Sequence, residues 1–146
     1  MTGYRIVEPE VAGGLGKNTA FTRTPGQPIV VHKLHYQFDG WLGDALVEST
    51  PCYIVTERLA AEIGRSQLTG ASFDRVETSK SEQFEELYPG RELPKFLWLK
   101  VVGSPGRDDF GVTPDLRLVV SERALAVLED VGIAHALVEP FESENG

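Results

Sequence analysis

Three kinds of side chain in this 146-residue sequence could do chemistry: three histidines, one cysteine and a group of aspartates in a Gly/Pro-rich stretch. His32 and His35 stand three residues apart, which on a β-strand sends them to opposite faces, so they cannot clamp one metal ion together. His135 stands alone near the C-terminus and reads as an ordinary side chain. Cys52 is the single cysteine, which excludes an intrachain disulfide and any cysteine-built metal site. Its neighbours Tyr53, Ile54 and Val55 make it a small buried hydrophobe, since a catalytic thiolate would need an adjacent base and a lowered pKa. Asp108, Asp109 and Asp115 lie in "GSPGRDDFGVTPD", and their spacing matches no calcium loop. They are expected to be solvated loop carboxylates and are the candidate partner-binding residues of the chain.

Longer motifs fail on inspection. "GGLGKNT" suggests a phosphate loop, but the pattern needs a glycine at the place of Val11 and a serine or threonine at the place of Asn18. "DDFG" echoes a kinase triplet in a chain too short for a kinase and without the other kinase motifs. There is no Gly-x-Ser-x-Gly and no His-Glu-x-x-His. No metal, cofactor or catalytic residue is therefore expected, although a site assembled from distant residues would leave no local signature.

Charge narrows the partners. The formal net charge is −8, and residues 101–146 supply most of it, with 3 Lys/Arg against 9 Asp/Glu. A surface of that sign repels phosphate backbones and anionic lipid, so neither nucleic acid nor a membrane surface is expected as a partner. No stretch reaches the length of an apolar membrane span, and "MTGYRIVEPE" lacks the basic flank and apolar core of a secretory signal. The chain reads as cytoplasmic.

The elements that must position these residues are organised by a repeat. "YIVTERLAAEI" at 53–63 and "LVVSERALAVL" at 118–128 match at an offset of 65 as apolar triplet, hydroxyl residue, Glu-Arg and an Ala/Leu-rich run. The triplets read as strands, and Thr56 and Ser121 as helix N-caps with Glu57 and Glu122 in the positive first turn. Leu59, Ala60 and Ile63, then Leu125, Leu128 and Val131, make the apolar helix stripes. Return strands hold the same offset, Leu68 over Ile133, Ala71 over Ala136 and Phe73 over Val138. The prediction is one domain over residues 1–146, α+β in class, an α/β sandwich with one mixed sheet carrying repeat units of about 52–77 and 117–139. The Glu-Arg pairs are read as part of the junction architecture.

Around the repeat, "YRIVE" reads as a first strand and 29–38 as a long strand with Val30, His32, Leu34, Tyr36 and Phe38 facing the core. Residues 12–28 read as an irregular connection with at most a short ordered piece. "SKSEQFEELYPG" predicts a short helix with Phe84, Leu87 and Tyr88 inward. "LPKFLWLKVVG" predicts a central strand apolar on both faces. The acidic tail "FESENG" is expected to fray.

The frame of strand, "VSERAL", helix and terminal strand, with "LTGASFDRVE" and "ELPKFLWLKVVG" before it, resembles small acidic bacterial proteins grouped with the immunity proteins of polymorphic toxin systems. The likeness covers roughly residues 42–140. It implies a stoichiometric binder that blocks a toxin, with an acidic binding face when the toxin is a basic nuclease. The expected function is thus a non-enzymatic protein-binding module for a partner with a basic face. The alternative is a small enzyme or small-molecule-binding domain with a pocket beside the Gly/Pro-rich loops. Exposed edge strands would also let the chain pair with itself.

Overall fold

A computed structural model describes residues 3–142. The expected fraying of 143–146 lies outside the described residues. The chain runs β1 (Tyr4–Glu8), β2 (Gly13–Leu15), β3 (Ala20–Thr22), β4 (Val30–Phe38), β5 (Leu46–Ser49), β6 (Cys52–Thr56), α1 (Glu57–Arg65) and β7 (Ala71–Asp74). It continues with β8 (Val76–Lys80), α2 (Glu82–Leu87), β9 (Phe96–Val101), β10 (Phe110–Val112), β11 (Leu118–Ser121), α3 (Glu122–Val131) and β12 (Leu137–Pro140). The class is α+β.

Both strand-to-helix junctions form as the repeat requires. The Thr56 hydroxyl accepts the backbone N–H of Leu59 at 3.2 Å, and the Ser121 hydroxyl accepts that of Ala124 at 3.1 Å. Each cap satisfies one of the orphan donors of a helix start. The units do not share one mixed sheet, however. One sheet has the order β5-β6-β9-β7 and another the order β10-β11-β1-β12. The only parallel pairing of two strands among the described residues, β4 with β8, lies in a third sheet.

The two sheets are copies of one another. A strand from elsewhere enters between each unit's two strands: β9 between β6 and β7, and β1 between β11 and β12, antiparallel throughout. The pairings agree residue by residue. Phe73 faces Leu99 while Val138 faces Val7, and Asp74 faces Trp98 while Glu139 faces Ile6. A preceding hairpin strand completes each sheet, with Leu46 facing Val55 and Phe110 facing Val120. Insertion of β1 and β9 splits the units into two sheets, because each unit's outer strands are already separated by one strand width.

Helices α1 and α3 pack together over these sheets. Leu59, Ala60 and Ile63 from α1 and Ala124 and Leu128 from α3 lie in one buried cluster with Leu46, Val55, Leu99 and Val120. A second cluster holds Tyr36, Phe38, Ile54, Phe84, Phe96 and Trp98. Strand β9 divides the two, with Leu99 in the first and Phe96 and Trp98 in the second, as expected of a strand apolar on both faces.

Four expectations change. Residues 12–28 are not wholly irregular, for β2 and β3 both pair with β4. Their short Gly/Thr sequences carry no strand signal, and it is the long partner strand that draws them in. In β4 Leu34, Tyr36 and Phe38 are buried, but Val30 and His32 are exposed because the first half of the strand runs past the core. Leu87 of α2 is 59% exposed, leaving Phe84 as the buried residue of that short helix. In α3, Ala124 joins Leu128 at full burial, while Leu125 and Val131 are only half-buried.

Candidate functional site

Of Asp108, Asp109 and Asp115, Asp115 is exposed as expected, Asp108 is half-buried and Asp109 is not solvated. Asp109 is buried. Its carboxylate accepts the Thr69 N–H at 2.8 Å, the Ser121 hydroxyl at 2.6 Å and the Arg123 guanidinium at 3.0 and 3.3 Å. Burial alone would raise this carboxyl, but bonds from Arg123, Ser121 and Thr69 and the charge of Arg123 hold it at about 2. Arg123 also donates to the carbonyls of Ser66 and Gln67, so the pair ties the end of α1 to the start of α3. The loop comes this close because Gly70 and Gly103 lie against the Phe110 carbonyl, where a Cβ would collide. Asp108 is half-buried and accepts the Ser104 N–H at 2.7 Å. Asp115 is exposed, but bonded to the Thr113 hydroxyl and ion-paired to Arg117 at 3.1 Å. Asp109 is thus a folding residue, and each of the other two already has partners within its own loop.

Two other arrangements look catalytic and are not. His35, buried in β4, lies with Nε2 2.7 Å from the Ser79 hydroxyl, a nucleophile-and-base spacing. Its Nδ1, however, accepts the backbone N–H of Asn18 at 3.2 Å, which places the ring proton on Nε2. The imidazole therefore donates to Ser79 and cannot take its proton. Cys52 is buried, and burial pushes its thiol up to about 11, so it is a packing residue as the sequence suggests.

The convergent groups lie elsewhere, around a broad concavity of about 500 Å³. Val7 and Leu118 are its buried apolar lining, and Val11, Leu42, Leu116 and Leu137 stand on its rim. Those four are among only nine large apolar side chains exposed in the described residues, at 67, 58, 43 and 67%, so this is where exposed apolar surface concentrates. Glu8, Glu10 and Glu48 supply acid and Arg117 a single guanidinium. Burial, then the charge of Glu8, raises the Glu48 carboxyl above its ordinary value against a bond from Thr50.

At one edge, Glu10, Asp44 and His135 each bring a ligand atom within 4.8 Å of the others. Asp44 accepts both the backbone N–H and the Nδ1 of His135, each at 2.8 Å. Glu10 accepts the N–H of Leu42 at 2.6 Å and that of Asp44 at 3.3 Å. The loop between β4 and β5 is further held by Trp41, whose Nε1 donates to the Asp44 carbonyl at 2.9 Å. In sequence His135 reads as an ordinary side chain and Glu10 and Asp44 draw no notice, because 34 and 91 positions separate Asp44 from its partners. A signal was available: Asp44 and Asp109 differ by the repeat offset of 65. Each stands just ahead of a hairpin and clasps the connection after the other unit's helix, Asp109 at Thr69 and Asp44 at His135.

A scan against known protein-family models finds none that matches this chain, and no curated protein is significantly similar to it.

Proposed function

We propose that this chain is a non-enzymatic protein-binding module of the toxin-neutralising, immunity-protein kind, and that it docks a basic partner on the concavity between β1, the β4–β5 loop and β12. The carrying observation is the coincidence of exposed Val11, Leu42, Leu116 and Leu137 with Glu8, Glu10 and Glu48 around one depression. Exposed apolar side chains interleaved with charge are the material of a protein interface, in which apolar anchors hold the complex and exposed charges steer it. Breadth also supports a protein occupant, since small-molecule sites enclose most of their ligand's surface. The net charge of −8 and the Glu8–Glu48 repulsion favour a partner that brings lysine or arginine.

The partner to try first is the product of the neighbouring reading frame, purified together with this chain. A stoichiometric complex is expected, whose association slows as salt rises from low to physiological strength. Glu8→Gln with Glu48→Gln should lower the on-rate, whereas Leu42→Ala and Leu137→Ala should mainly raise the off-rate, each by about tenfold or more. A complex indifferent to all four substitutions would remove the concavity from the reading.

A further inference from the structure

We infer that Glu10, Asp44 and His135 form a binding site for one divalent transition-metal ion, of the zinc or manganese class. The argument comes from comparing the two halves of the molecule. In one half the buried Asp109 is balanced by the Arg123 guanidinium at 3.0 Å. In the other half the residue at the place of Arg123 is Arg58, which is exposed and makes no ion pair among the described residues. Asp44 has instead a second buried carboxylate beside it, Glu10, the two being 2% and 8% exposed, and the imidazole of His135. No lysine or arginine pairs with either carboxylate among the described residues.

Two shielded carboxylates side by side repel each other, backbone N–H donors orient them without supplying a countercharge, and the His135 contact to Asp44 at 2.8 Å supplies one only when the imidazole is protonated. A cation supplies it. The donor set of one imidazole nitrogen and carboxylate oxygens suits borderline metals, whereas calcium would require six or more oxygens. The supports a metal site needs are present: Leu42 N–H and Asp44 N–H fix Glu10, His135 N–H fixes Asp44, and Trp41 fixes the loop. His135 is half-exposed at 45%, so the remaining coordination positions face the concavity and take water. Asp44 Oδ1 and His135 Nδ1 are 2.8 Å apart, so the two atoms separate by roughly half an ångström to seat a tetrahedral ion at about 2.1 Å from each. A metal at Nδ1 takes the place of the N–H that donates to Asp44, and the bound imidazole carries its N–H on Nε2.

The inference stands apart from partner binding, and its test needs no partner. Metal-stripped protein is titrated with zinc, and in parallel with cobalt, whose visible absorption reports its ligands. A single ion per chain is expected, with a cobalt spectrum of nitrogen and oxygen donors and a change in Trp41 emission read in a Trp98→Phe background. His135→Ala, at a half-exposed position, and the isosteric Glu10→Gln should each weaken zinc binding by on the order of 100-fold while leaving the circular dichroism unchanged. His32→Ala, on the exposed end of β4, should leave it intact, and calcium and magnesium should not compete. Absence of zinc uptake at micromolar concentrations overturns the inference, as does uptake that survives both substitutions or that depends on His32.

Discussion

At the scale of single residues, the same chemical type has two fates set by its surroundings. Asp109 and Asp115 are six residues apart in one loop, yet the first is buried under donors from Thr69, Ser121 and Arg123 and the second is at the surface. The folded carboxyl of Asp109 lies at about 2, below the unfolded value of about 3.9. Its contribution to stability is therefore complete above about 4 and is lost as the pH falls towards 2. Asp109→Asn should cost on the order of 3 kcal/mol near neutrality, because Arg123 and Ser121 lose an ionised partner. It should also flatten the acid limb of stability in denaturant titrations run between about pH 5 and pH 2. A variant that keeps the wild-type pH dependence would show that other carboxylates set that limb.

At the scale of elements, the two caps are equivalent in sequence and unequal in work. Thr56 serves only the Leu59 N–H, whereas Ser121 both accepts from Ala124 and donates to Asp109. Thr56→Ala should cost about 1 kcal/mol, and Ser121→Ala about 2 kcal/mol, the excess being the second bond. A double-mutant cycle of Ser121→Ala with Asp109→Asn isolates that excess, which should fall towards zero once the carboxylate is gone. Equal costs at the two caps would mean that the Ser121–Asp109 bond contributes nothing net.

At the scale of the whole molecule, β9 is the wall shared by two cores, with Trp98 at 6% and Leu99 at 1% exposure on its opposite faces. Trp98→Ala should destabilise by about 3–5 kcal/mol and Leu99→Ala by about 2–5 kcal/mol. Both should lower one cooperative transition, seen alike by circular dichroism and by fluorescence, since neither core can lose the wall and keep its packing. Two separated transitions in either variant would mean that the cores unfold independently. The arrangement also explains the chain order: read from β5, each half is hairpin, helix, return strand, then central strand, and β1 is the central strand of the half that ends with β12.

What the sequence determined by itself was local and periodic. Cap residues, the stripe of α1, the register of the return strands and the two-faced apolar run of β9 were legible, because each follows from hydrogen bonding or burial within a few residues of chain, whereas in α3 only Leu128 of the expected stripe is fully buried. The strands β2 and β3 were not, since three-residue strands without apolar alternation exist only through the partner they pair with. Nor was the division into two sheets, which depends on β1 and β9 being inserted from far along the chain. The candidate site follows the same rule. The aspartates 108, 109 and 115 drew notice because they are neighbours in sequence, but exposure is a tertiary property, and the fold buried Asp109 against Arg123. Glu10, Asp44 and His135 meet only after β1, the β4–β5 loop and the α3–β12 connection are packed together, so no window of sequence could contain them. Short-range patterns carry the energetics of elements; convergence of charge at a site is decided by which distant backbones the tertiary structure brings within bonding distance.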